Sequence, residues 1–233
     1  MNYKRLKLTL SLGAILVLCC GMAAGTPPAF AAAPVIPPGP ELNTLLRGVE
    51  EKYNHLKTLR LHFRQIYQQD RQVLREEAGT LYLRKPGQMR WEYENPEPKL
   101  FLTDGRRVML YVPQEKRVTQ TSIKESDDLR SPMRFLLGGL KFQKEFQQIE
   151  KVLDVPPLES RDTIVKAVPK QMAARLEWVI LEITPESQIR RLILREPGGI
   201  QTEFRFVDET TDLRLAPELF HFQPPTGTEV VEQ

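Results

Sequence analysis

Cysteine is almost missing from this 233-residue chain: Cys19 and Cys20 are the only two, and both precede Gly21. If that end of the chain is removed, what remains has no disulfide, no thiolate nucleophile and no cysteine-based metal site. Histidine is equally scarce. His55, His62 and His221 are the only ones, and no two stand at a metal-ligand spacing. The sequence has no Gly-x-Ser-x-Gly elbow, no Walker loop and no Gly-x-Gly-x-x-Gly ahead of a helix. The carboxylate pairs Glu76-Glu77 and Asp127-Asp128 fall in polar runs and read as solvated loop charges. An enzyme is therefore the weakest reading, and no metal or cofactor is implied.

Long apolar runs are also lacking. Leu8–Leu18 is the longest, and it is shorter than the roughly 20 residues that a membrane span needs. Lys4, Arg5 and Lys7 precede it, and Ala29-Phe30-Ala31 follows with a small-x-small pattern. That order predicts a secretory signal peptide over residues 1–33, cut after Ala31 or Ala33, and hence export. A lipoprotein signal wants a small residue before the acylated cysteine, but Leu18 precedes Cys19 and Cys19 precedes Cys20. Both cysteines are read as part of the discarded leader. Of 33 basic residues three lie in the leader, leaving 30 against 30 acidic ones. A mature chain with no net charge lacks the basic face that nucleic-acid binding requires.

Proline is concentrated at one place. Pro27 to Pro40 holds six of the 19, so residues 34–41 read as an extended linker. The domain is then 42–233, a length ordinary for a single β domain. Over Glu41–Leu59 the spacing predicts a helix, with Leu42, Leu45, Leu46, Val49, Tyr53 and Leu56 on one face. The period then changes to two. Strands are expected at Leu61–Tyr67, Gly79–Lys85, Gln88–Glu94, Lys99–Thr103 and Arg106–Val112, the last two joined by Asp104-Gly105. Lys124–Arg130 reads as a loop. Ser131-Pro132 then opens a short apolar helix holding Met133, Phe135, Leu136 and Leu137, which Gly138-Gly139 stops. Further strands are expected at Phe142–Ile149, Thr163–Val168, Leu176–Ile183, Ile189–Arg195, Ile200–Val207 and Phe220–Phe222. Ten or so short strands with tight turns and few helices make an α+β, mainly β fold. Its antiparallel sheet should curl into a barrel or half-barrel with the helices on its concave side. Pattern leaves open whether Phe63, Trp91, Phe101, Tyr111, Phe135 and Trp178 fill a core or line a cavity.

The run Arg84-Lys85-Pro86-Gly87-Gln88-Met89-Arg90-Trp91 resembles a motif of the outer-membrane lipoprotein carrier family, LolA. Asn95-Pro96, Thr103-Asp104-Gly105, Tyr111-Val112-Pro113, Ser131-Pro132 before Phe135-Leu136-Leu137, and the closing Leu219–Gly227 follow in that family's order. The resemblance implies an unclosed antiparallel β-barrel, its concave mouth covered by helices. It implies a periplasmic monomer that carries acylated lipoproteins from an inner-membrane ABC transporter to an outer-membrane lipoprotein receptor. It implies an acyl-chain cavity, here assigned to Phe63, Trp91, Tyr93, Phe101, Met109, Tyr111, Met133, Leu137 and Trp178. Lid and closure residues would be Arg84, Lys85, Pro132, Phe135 and Leu136. Two positions depart from the family. Lys85 stands where arginine is common, and an ammonium is a point donor, not a planar fork. Met109 stands where tryptophan is frequent. The alternatives are an anchored outer-membrane receptor, a carrier of another lipid cargo, and a periplasmic lipoprotein-sensing regulator.

Overall fold

The computed structural model of the protein describes residues 39–123, 139–171 and 175–232. The expected leader, residues 34–38 of the linker and the expected lid helix with Pro132, Met133, Phe135, Leu136 and Leu137 lie outside the described residues.

The first element, α1, spans Pro40–His55. Pro40 sits in the first turn, where the missing N–H costs nothing, and Lys52 and His55 in the last turn suit the negative end of the helix dipole. The helix stops short of the expected Leu59. Leu56 is extended, with ψ 143°, and Thr58 already belongs to a strand.

Twelve strands follow among the described residues. They are β1 Thr58–Gln69, β2 Gln72–Arg84, β3 Gln88–Asn95, β4 Lys99–Asp104, β5 Arg107–Val112 and β6 Arg117–Ser122. After the one-turn helix α2, Phe142–Glu145, come β7 Phe146–Lys151, β8 Thr163–Pro169, β9 Trp178–Ile183, β10 Ile189–Arg195, β11 Ile200–Thr211 and β12 Glu229–Glu232. They form one sheet in the order β12-β6-β5-β4-β3-β2-β1-β11-β10-β9-β8-β7. Of these pairs only β12–β6 is parallel. The end strands, β12 and β7, are not paired with each other, so the sheet stays open. The fold is an unclosed, mainly antiparallel half-barrel with a helix on its concave side.

Two expected strands and one expected loop need correction. Phe142–Ile149 begins as the helical turn α2, whose Phe142 N–H donates to the Glu50 carboxylate at 2.6 Å. Phe220–Phe222 is not paired: Pro217–Phe220 is a 3-10 turn that packs on the outside of the sheet. Glu76-Glu77 is no loop, because both residues lie within β2 and Glu77 is buried.

Turn chemistry sets the register. Asp70 and Arg71 both take positive φ, 49° and 68°, to join β1 and β2. Gly105, at φ 93°, begins the β4–β5 turn, and the Asp104 carboxylate accepts the Arg106 and Arg107 N–H groups at 2.8 Å each. Alternation then separates two faces. The concave set includes Leu59, Leu61, Phe63, Leu81, Leu83, Trp91, Leu181, Leu192, Phe204 and Phe206. It joins Leu46, Val49 and Tyr53 of α1 in one continuous core. The convex face carries two smaller clusters of its own.

Candidate functional site

Cross-strand partners in an antiparallel sheet share a face. Trp91 pairs with Phe101, and Phe101 with Leu110. On the other side Trp91 pairs with Leu81, and Leu81 with Leu61. One row of apolar side chains thus crosses five strands of the concave face. Phe63 lies one step along it, with its ring centroid 4.7 Å from Trp91 and 5.0 Å from Tyr93, both edge-on. Phe204 meets Trp91 at 5.9 Å and Phe206 at 6.2 Å. Each such ring pair contributes about 0.5–1.5 kcal/mol beyond its buried area, so this floor is stiff.

Burial changes along the row. Leu61, Leu81 and Trp91 are buried, Phe101 is half-buried and Leu110 is 39 % exposed. Among the described residues the floor is covered at its α1 end and least covered on its β4–β5 flank.

Helix α1 is held at the closed end by polar contacts. The Tyr53 hydroxyl donates to Glu209 at 2.6 Å and accepts the Ile189 N–H at 3.1 Å. Burial, with the Glu209 charge, pushes the Tyr53 phenol well up, so it remains a donor. Lys52 pairs with Glu209 at 2.7 Å. The Lys85 ammonium donates to the Tyr53 carbonyl in the last turn of α1. Burial pulls the Lys85 ammonium below the usual lysine value, and Asp212 opposes that pull. Asn54 receives the Gly139 and Leu140 N–H groups at 2.9 Å each, which ties the helix to the segment after residue 138. Between α1 and that segment runs an outer groove of about 610 Å³, lined by Leu46, Glu50, Leu140 and Phe142 among others.

The far end of the concave face is polar. Gln65, Tyr67, Glu77, Tyr93 and Lys99 meet there. Tyr93 donates to Gln65 at 3.0 Å, and Lys99 pairs with Glu77 at 2.5 Å while lying 4.1 Å over the Tyr93 ring. Burial pushes the Tyr93 phenol far up, helped by Tyr67 and Glu77, so its hydroxyl stays protonated.

The structure sorts the expected site residues by face. Phe63, Trp91, Tyr93 and Phe101 come together on the concave side. Met109 and Tyr111 do not join them. Met109 is buried with Leu100, Leu102 and Val118, and Tyr111 meets Phe222 at 4.9 Å, on the convex side under the C-terminal segment. Trp178 is also convex, packed with Ile164, Ile180 and Ile193. The physical reason is the two-residue period. β5 offers Val108, Leu110 and Val112 to the face of Phe101, so its odd-numbered residues must point away. Leu110 was missed because the expectation followed bulky residue types and not register. Arg84 is convex as well: its guanidinium lies 4.9 Å from the Phe220 ring and donates to Gln88 at 2.6 Å. Of the two basic neighbours only Lys85 reaches α1.

Residues 54–223 match the family described as Outer membrane lipoprotein carrier protein LolA, most of the chain. The chain belongs to the LolA family. A relative from Nitrosospira multiformis, named outer-membrane lipoprotein carrier protein, is 29% identical over 180 residues, covering 76% of this chain and 83% of that one. Another of that name, from Alkalilimnicola ehrlichii, is 25% identical over 229 residues, covering 97% of each. Among solved structures, an uncharacterized conserved protein from Thermus thermophilus aligns with a TM-score of 0.53 and 12% identity, over 83% of this chain and 99% of that one. That likeness is one of fold alone. This LolA-family chain is thus a lipoprotein-carrier relative built on an open half-barrel with an aromatic concave floor.

Proposed function

We propose that the protein is a periplasmic chaperone that binds the acyl chains of lipoproteins on its concave floor. In this reading residues 1–33 export it and are removed. It takes acylated lipoproteins from an inner-membrane ABC transporter and passes them to an outer-membrane receptor. It performs no covalent chemistry. The supporting observation is the Leu61–Leu81–Trp91–Phe101–Leu110 row, apolar throughout, buried at one end and open at the other. The chemistry of the cargo explains the need. Each methylene withdrawn from water is worth about 0.8 kcal/mol, so a chain of about sixteen carbons resists crossing water by roughly 12 kcal/mol. An open floor offers a dry surface without a membrane. The contacts of Lys85 and Tyr53 hold α1 over the closed end, and Lys85 is assigned to closure on that ground. The test is native mass spectrometry of the protein isolated from its own periplasm without detergent. The expected species starts near Ala32 or Pro34 and carries one acylated protein. A chain beginning at a lipid-modified Cys19 or Cys20 would instead make it an anchored receptor.

A further inference from the structure

Glu77, in the polar cluster beside the apolar floor, is an unusual residue to find buried. It sits on β2 opposite Gln65 and is only 6% exposed. One carboxylate oxygen, Oε1, takes the Lys99 ammonium at 2.5 Å. The other, Oε2, is buried and finds no donor among the described residues. Leaving a buried charged acceptor unpaired is costly, so such an atom is a candidate for a group that arrives later. Its surroundings are specific. Lys99 has used one of its three donors on Glu77. The Tyr93 and Gln65 side chains are bonded to each other, and Gln65 also donates to Tyr67. Arg75, 54% exposed, lies 4.3 Å over the Tyr67 ring and 3.7 Å from Oε1, and forms the outer cover. A single step along the strands separates this cluster from Phe63.

An acceptor beside an ammonium fits a group that presents one N–H and one carbonyl a few ångströms apart. An ester offers only acceptors and a hydrocarbon offers neither. We propose that Glu77 and Lys99 bind the amide linkage of an N-acylated lipoprotein cysteine, Glu77 Oε2 accepting its N–H and Lys99 donating to its carbonyl, while the acyl chain runs onto the aromatic floor. This assignment rests on the acyl-carrier reading above. Arg75 swings aside to admit the head group. The carboxylate then sets which lipid heads are accepted, and the floor supplies affinity that any long chain would share.

The experiment displaces a fluorescent apolar probe, bis-ANS, from the full mature chain. Three competitors are compared: a tripalmitoylated lipopeptide, the same lipopeptide with its acyl amide N-methylated, and methyl palmitate. In the wild-type protein N-methylation should weaken displacement about tenfold, which is about 1.4 kcal/mol. In Glu77→Met, which has no carboxylate or amide oxygen to accept the N–H, the lipopeptide should weaken to a similar extent, and N-methylation should then have no further effect. Methyl palmitate should be unchanged by the substitution. Equal sensitivity to N-methylation in both proteins, or none in either, would overturn the assignment, and the wild-type arm decides even if the variant does not fold. If methyl palmitate and the lipopeptide both fail to displace the probe from wild type, the carrier reading itself falls and the assignment with it.

Discussion

Leu110→Glu is the perturbation that separates an open acyl-binding floor from an ordinary core. Leu110 is 39 % exposed, so about three-fifths of its side chain is already withdrawn from water. Full burial of a leucine is worth about 1.5–3 kcal/mol, so the substitution should cost the free protein only about 1–2 kcal/mol. The loss in binding should be larger. A bound chain would cover the remaining surface, and a carboxylate there would repel roughly two methylenes at about 0.8 kcal/mol each while losing water itself. Together these come to about 2–3 kcal/mol, or roughly 30- to 150-fold weaker binding. Val207→Glu is the control, because Val207 is 53% exposed and its neighbour Phe206 faces the concave side. The assay is titration of a fluorescent long-chain fatty acid, with thermal melts to follow folding. Val207→Glu should stay within about twofold of wild type. Equal losses in the two variants, or no loss in Leu110→Glu, would mean that Leu110 does not border a bound chain.

Other expectations follow from the contacts around α1 and the β4–β5 turn. Lys85→Met removes the ammonium donor to the Tyr53 carbonyl, so amide exchange in the last turn of α1 should quicken and stability fall by about 1 kcal/mol. Unchanged exchange would mean that Lys85 does not hold the helix. Asp104 feels burial raising its pKa, but the Arg107 and Arg106 N–H bonds and the guanidinium charges outweigh it, and the net shift is downward. A carboxyl depressed in the folded state stabilises above its ordinary value and loses that contribution as pH falls through the folded one. Wild type should therefore lose more stability than Asp104→Ala below about pH 4 in urea melts. Parallel losses would show that the turn bonds are neutral in effect.

How much was legible follows from which signals are local. The helix at Pro40–His55, the strands β1, β3, β4 and β5, the second half of β2 and the turn at Asp104-Gly105 were readable, because period and turn chemistry are written in adjacent residues. β6, Arg117–Ser122, was not, since Val118 is its only buried apolar side chain. β12, Glu229–Glu232, gains its place by pairing in parallel with β6 across more than a hundred residues, which no local pattern reports. The faces were harder still. Each side of the sheet packs aromatics: Trp91 and Phe204 are buried inside, and Tyr111 and Trp178 are half-buried outside. A bulky side chain therefore says that it is covered, not by what. Register from Phe101 would have chosen Leu110 over Met109 and Tyr111 without a structure. Glu77 was misread for a related reason, since its partner Lys99 comes from β4 and no neighbour in sequence signals the burial.

A chain that carries acylated protein through water must be able to draw it out of a membrane. Adding the purified mature chain to spheroplasts with labelled lipoproteins tests it most directly. Acylated lipoproteins should leave the membrane and appear in the supernatant in a one-to-one complex with the added chain, and Leu110→Glu should release far less. Lipoproteins that stay with the membrane at every concentration of the wild-type chain would contradict it.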